Sequence, residues 1–287
     1  MNNLPTIGKY HFMAEPFHCD FTKHLFIGHL GNNLLNAADF HSNERGYGVN
    51  YLNTINKTWV LSRLAIELDE MPAIYEKFTV ETWVDSVMRY FTNRNFKIAN
   101  EDGRVYGYGK SIWAMIDTET RQPVDILKVD NQTILKYIET NYDNPIKKSS
   151  RVKLDNNLIL QKSIVANYSD VDINGHVNSI KYIEHILDLF PLEWYKQHTI
   201  RKFDIAYITE SHNDETLNFY TDKKIEMVND EVAIQTDWMS KYPAFQGYNC
   251  RLTSFTLLRD LISFPTGKKF DSKAEDEVLF IDRESLR

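Results

Sequence analysis

Apolar and polar residues alternate along most of this chain. The segments 11–15, 59–68, 78–83, 91–98, 105–116, 158–165, 200–207, 217–220, 232–239 and 252–258 are rich in aromatic and β-branched side chains, and this pattern predicts strands. Two stretches, 28–41 and 177–190, instead carry the helical period. In the second, Val177, Ile180, Ile183, Ile186, Leu187 and Phe190 fall on one stripe, Asn174 or Asn178 can cap the start, and Pro191 stops it. A weaker helical pattern covers 126–142. One long helix per set of strands predicts a helix wrapped by a curved antiparallel sheet, an α+β fold.

The pattern also repeats. A shift of 139 pairs Ile66 with Ile205, Phe78 with Leu217, Val80 with Phe219 and Thr82 with Thr221, and a shift of 147 aligns Gly28-His29-Leu30 with Gly175-His176-Val177. Each half reads as strand, long helix, then several strands, which predicts two copies of one unit. We place the first unit at 1–145, a linker at 146–156, the second unit at 157–258 and a charged tail at 259–287. Pro145 and the basic run Lys147, Lys148, Arg151 and Lys153 mark the linker.

Composition narrows the chemistry. A length of 287 residues fits one large domain or two medium ones. With 33 basic against 40 acidic side chains the formal net charge is -7. Such a chain has no overall positive field to gather nucleic acid. Two cysteines, Cys19 and Cys250, exclude a disulfide framework or a cysteine-based metal site. The first residues lack the look of a signal or transit peptide, and no apolar run reaches the ~20 residues of a membrane span. The expected location is the cytoplasm. Gly109-Lys110-Ser111 lacks the upstream glycine of a phosphate loop, since Arg104 stands there, and neither Gly46-Tyr47-Gly48 nor Gly107-Tyr108-Gly109 completes a dinucleotide fingerprint. No cofactor and no metal are expected.

One segment is chemically dense. Asp170, Asp172, Asn174, His176 and Asn178 lie within nine residues just before the second helix, with Gly175 among them. Asp172, Asn174 and His176 are two apart, so an extended chain projects them to one side, and a helical turn brings Asp172 to His176. Histidine moves protons near neutral pH, and helix-start N–H groups suit a developing oxyanion. Helix capping explains the same residue types equally well.

The run Asp170-Val171-Asp172-Ile173-Asn174-Gly175-His176-Val177-Asn178-Ser179-Ile180-Lys181-Tyr182-Ile183 resembles the signature of plant-type acyl-acyl-carrier-protein (acyl-ACP) thioesterases, in their bacterial branch. Trp59-Val60-Leu61-Ser62-Arg63 and Phe78-Thr79-Val80-Glu81-Thr82-Trp83 resemble first-half strands of that family. The resemblance covers about residues 8–258 and implies a double hot-dog fold, in which each of two tandem units wraps a curved antiparallel sheet around a long helix. It also implies hydrolysis of long-chain fatty acyl-ACP with an acyl carrier protein as partner, and Asp172, Asn174, His176 and Glu210 as catalytic residues. From the residues alone, Glu210 is one acid in a polar turn. Ser211 stands where many plant relatives have cysteine, which argues against a thiol nucleophile. By the shift of 147, Leu25, Ile27 and His29 answer Asp172, Asn174 and His176, so the chemistry is assigned to the second half. The first half then shapes an apolar pocket with Phe26, Leu30, Leu34, Trp59 and Trp83. In this scheme His176, supported by Glu210, activates water, while Asn174 and helix-start N–H groups hold the thioester oxygen and Asp172 orients the network. A carboxylate acting as nucleophile is the alternative route. An acyl-CoA thioesterase of the same superfamily and a non-catalytic acyl-binding module are the competing functions. A monomer or a homodimer is expected.

Overall fold

The computed structural model describes residues 4–146, 159–221, 226–228 and 231–233. These fall into two compact units, one within residues 1–149 and one within 150–264.

The first unit runs β1 (Gly8–Met13), α1 (Ile27–Glu44), α2 (Val49–Leu52), β2 (Lys57–Leu68), β3 (Lys77–Val87), β4 (Phe91–Asn100) and β5 (Val105–Asp117). Its strands lie in the order β1-β3-β4-β5-β2, each antiparallel to its neighbour. Register shifts between Leu61 and Arg63, between Val84 and Ser86, and between Ile98 and Ala99 insert bulges, which bend the strands and deepen the twist. The apolar stripe of α1 buries Ile27, Leu30, Leu34, Ala37 and Ala38. A bare Gly109 in β5 admits this helix closely: a Cβ there would stand 3.1 Å from Phe96 Cδ2 and 3.4 Å from Leu34 Cδ1. Leu30, Leu34 and Trp83 are fully buried core. Trp59 borders a cavity of only about 10 Å³ with Tyr47, Tyr51, Leu52 and Met115, too small for an acyl chain.

Behind α1 sits a polar knot. His41, fully buried, accepts from Tyr47 Oη at Nδ1 (3.0 Å), and its Nε2 lies 2.9 Å from the Thr6 carbonyl. A carbonyl only accepts, so Nε2 carries the proton and the ring is neutral. Burial, then the guanidinium groups of Arg94 and Arg45, push the His41 pKa down to about 2.

The expected helix at 126–142 is not α-helical. Ile126–Lys128 and Asp130–Tyr137 are 3-10 turns, separated at Val129 by extended backbone, and Asp125 caps the first by accepting from Leu127 N–H. The chain is extended again at Ile138, which bridges Val84 in parallel.

The second unit runs β6 (Ile159–Val165), α3 (Ser179–Leu187), α4 (Leu192–Gln197), β7 (Lys202–Ala206), β8 (Thr216–Thr221), β9 (Glu226–Val228) and β10 (Glu231–Ala233). β6 pairs antiparallel with β8, and β9 with β10. Asn178, rather than Asn174, caps α3, its Oδ1 accepting from Ile180 N–H at 2.9 Å. The helix stops at Leu187, and Pro191 then serves as the cap residue of α4, which the periodicity did not separate from α3. The 259–287 tail, the 252–258 strand, all of the 146–156 linker except Ile146, and Lys147, Lys148, Arg151 and Lys153 lie outside the described residues. Of the 232–239 strand, only Val232 and Ala233 are described.

The strand shift of 139 survives in the structure and the shift of 147 does not. β1 pairs with β3 through Met13 and Lys77, and β6 with β8 through Val165 and Thr216. Thus Lys77 answers Thr216 at 139, but Met13 answers Val165 at 152.

Candidate active site

The acidic loop is shaped by its own backbone. A 3-10 turn at Tyr168–Asp170 is closed by a reciprocal box in which Asp170 Oδ2 accepts from Asn167 N–H at 2.8 Å. Val171 and Val177 then form an isolated antiparallel bridge, with Asp172 N–H donating to His176 O (2.8 Å) and Gly175 N–H to Asp172 O (3.0 Å). Gly175 makes the return at φ +81°, a conformation that side chains resist. Asp172 Oδ1 accepts from Asn174 N–H at 2.8 Å and, at 3.4 Å, from His176 N–H. Its charge therefore braces the loop rather than the imidazole.

Two backbone bonds fix the loop in the unit. Asn178 N–H donates to Asp170 O at 2.8 Å, and Val177 N–H to Ser211 O at 2.7 Å. The second carries His176 to Glu210, since each is the residue before a bonded partner. His176 Nε2 stands 3.5 Å from Glu210 Oε2, with the side chains 20% and 32% exposed. His212 adds an edge contact to the His176 ring at 4.9 Å, and its own Nδ1 lies 3.4 Å from Glu215 Oε1. Asn174 is exposed, and no hydrogen bond of its carboxamide occurs among the described residues.

Of the four residues singled out by sequence, the structure brings His176 and Glu210 together, sets Asn174 at the open tip and turns Asp172 inward. Four N–H groups around the start of α3 are already engaged. Val177 and Asn178 donate to Ser211 O and Asp170 O, and Ile180 and Lys181 donate to Asn178. The exposed Asn174 amide is one donor this loop offers to an oxygen.

Sequence reasoning missed the support beneath the loop. His185, on α3, reaches Asp170 Oδ1 with Nε2 at 3.0 Å, and Asp170 is only 6% exposed. The partners are 15 residues apart, beyond any local spacing rule. Among the described residues, Tyr182 Oη and Ser211 Oγ, both buried, find no well-aligned hydrogen-bond partner. Burial raises the Tyr182 pKa, and the nearby Ser211 acts against that rise.

A family model described as the acyl-ACP thioesterase N-terminal domain matches residues 9–132, and another, described as a domain of unknown function (DUF4300), matches residues 197–287. The crystal structure of an acyl-ACP thioesterase from Bacteroides thetaiotaomicron is 53% identical, covers 75% of this chain and 86% of its own, and has a TM-score of 0.70. The chain belongs to the acyl-ACP thioesterase family. Its fold is the α+β double hot-dog of that family. The 12:0-ACP thioesterase from Umbellularia californica, 18% identical, shares the fold with a TM-score of 0.65 over 75% of this chain and 82% of its own. The palmitoyl-acyl carrier protein thioesterase of Gossypium hirsutum is 29% identical over 171 residues, which is 58% of this chain and 41% of that protein. The chain thus spans about two fifths of that curated relative's length. Among the described residues of this acyl-ACP thioesterase family member, no helix is long and apolar enough to cross a membrane.

Proposed function

We propose that this chain hydrolyses long-chain fatty acyl-ACP thioesters to free fatty acid and ACP, ending chain elongation, with Asp172, Asn174, His176 and Glu210 as the working set. The observation that carries the reading is the pairing of His176 Nε2 with Glu210 Oε2 at 3.5 Å, on the same loop as the exposed Asn174 amide. His176 takes a proton from water, and the Glu210 carboxylate stabilises the imidazolium that forms. The hydroxide adds to the thioester carbon, and the Asn174 N–H groups meet the charge that develops on oxygen. Collapse expels the carrier's thiolate, which recovers the proton from His176. Asp172 keeps the loop in shape throughout. Residues 1–145 serve the acyl chain and 157–258 the chemistry, with 146–156 as linker, in a cytoplasmic monomer or homodimer.

The test is thiol release from acyl-ACP and acyl-coenzyme A across a series of chain lengths. We expect kcat/KM to favour long acyl-ACP. A preference for coenzyme A substrates assigns the chain to acyl-CoA hydrolysis instead, and acyl binding without thiol release assigns it to a non-catalytic module.

A further inference from the structure

We propose that the first unit holds a second thioesterase centre, on the loop Asp20 to His24, kept inactive by two side chains, Thr22 and Met71. The inference rests on the hydrolytic reading of the Asp172 to His176 loop, and it begins from the corrected repeat. Cys19 and Leu25 form an isolated antiparallel bridge, as Val171 and Val177 do, and both pairs differ by 152. Asp20 therefore answers Asp172, Thr22 answers Asn174, Lys23 answers Gly175, and His24 answers His176. The identity of Gly28-His29 with Gly175-His176 is a coincidence of letters, since His29 lies inside α1 and His176 lies before α3.

The equivalence holds bond by bond. Asp20 N–H donates to His24 O (2.9 Å), as Asp172 N–H does to His176 O (2.8 Å). Lys23 N–H donates to Asp20 O at 3.0 Å, as Gly175 N–H does to Asp172 O at 3.0 Å. Asp20 Oδ1 accepts from Thr22 N–H at 2.8 Å, and Asp172 Oδ1 from Asn174 N–H at 2.8 Å. Lys23 takes φ +63° where Gly175 takes +81°. The facing segment is duplicated as well. Leu25 N–H donates to Pro72 O (2.9 Å), as Val177 N–H does to Ser211 O (2.7 Å), which sets Met71 where Glu210 stands. Ala73 N–H donates to Glu76 Oε2 and His212 N–H to Glu215 Oε2, both at 3.0 Å.

What remains in the first loop is an imidazole and its bracing carboxylate. His24 Nδ1 lies 2.9 Å from Thr22 O, so Nδ1 carries the proton and Nε2 is the basic nitrogen. What is missing is specific. Met71 brings no charge to stabilise an imidazolium, and Thr22 has a single hydroxyl proton, already given to Asp20 Oδ1 at 2.5 Å, where Asn174 has an open amide. Thr22→Asn and Met71→Glu supply both missing groups.

The test starts from His176→Ala in the full-length chain, to which Thr22→Asn and Met71→Glu are added, with thiol release read on long-chain acyl-ACP and on acetyl-coenzyme A. The expected result is hydrolysis at least ~10-fold above the His176→Ala background, abolished by His24→Ala. A rate at background in a variant that melts like its parent overturns the proposal, and so does a gain that survives His24→Ala. Should the combined variant not fold, Met71→Glu alone is read by NMR. The His24 ring nitrogens then shift from their positions in the parent as a carboxylate comes beside Nε2, and unmoved resonances overturn the proposal. If His176→Ala leaves turnover intact, the second-unit site is misassigned, and the His24 resonances still judge the first.

Discussion

Glu210→Gln isolates the electrostatic share of the proposed chemistry, because it removes the charge and keeps the shape. At 3.5 Å, a full charge pair is worth about 5 kcal/mol at an effective dielectric of about 20 and about 1 kcal/mol in bulk water. The side chains are 20% and 32% exposed, so solvent screens the pair toward the lower value, near 2 kcal/mol. If that energy is expressed only when the imidazole becomes charged, kcat falls about 30-fold. His176→Ala removes the base itself and lowers kcat by about 10²–10⁴. The double variant then falls no further than His176→Ala, because Glu210 acts only through the imidazole. The assay is steady-state thiol release at saturating acyl-ACP. Full activity in Glu210→Gln, or a double variant whose loss equals the product of the single losses, refutes the reasoning.

Other expectations follow from the same geometry. Asn174→Ala lowers kcat about 10²–10³-fold with KM little changed, as loss of an oxyanion donor does; a KM effect alone would assign Asn174 to binding. Asp170→Asn uncharges a carboxylate that is 6% exposed and paired with His185, and lowers stability by about 3 kcal/mol, seen as a lower thermal midpoint. His41 gives a pH dependence of definite sign. Its folded pKa of about 2 lies below the ordinary 6.5, so the unfolded chain binds the extra proton between these values. Stability is whole above 6.5 and is lost as pH falls below it, by roughly 2 kcal/mol at pH 5, in urea unfolding compared with His41→Asn. The matching left-handed positions of the two loops predict opposite signs: Gly175→Ala costs about 1 kcal/mol, and Lys23→Gly gains up to about that much.

Much of the fold was written in local periodicity. The stripe on α3 and the alternation in β2 to β5 gave the elements because burial selects those periods directly. The 126–142 stretch was misread because spaced apolar residues also suit 3-10 turns, and one extended residue, Val129, breaks the helix without any signal from glycine or proline. Residue identity misled the repeat where geometry did not. The two loops share backbone bonds that Lys23 and Gly175 both satisfy, so sequence likeness faded while the path of the chain stayed. The loop's density marked the candidate site, but capping and chemistry need the same residue types, and spacing could not divide them. Glu210 was legible only through family resemblance. Its closeness to His176 depends on a long-range backbone bond, and His185 beneath Asp170 was hidden for the same reason.

The bond from Val177 N–H to Ser211 O has a bearing on how such a protein can change. It ties main chain to main chain, so the gap between imidazole and carboxylate does not depend on which side chains flank them. Exposed residues around the pair can therefore vary without moving the imidazole away from the carboxylate. Proline at position 177 is the exception: with no N–H to give, it would let the two segments drift apart and abolish the proposed hydrolysis.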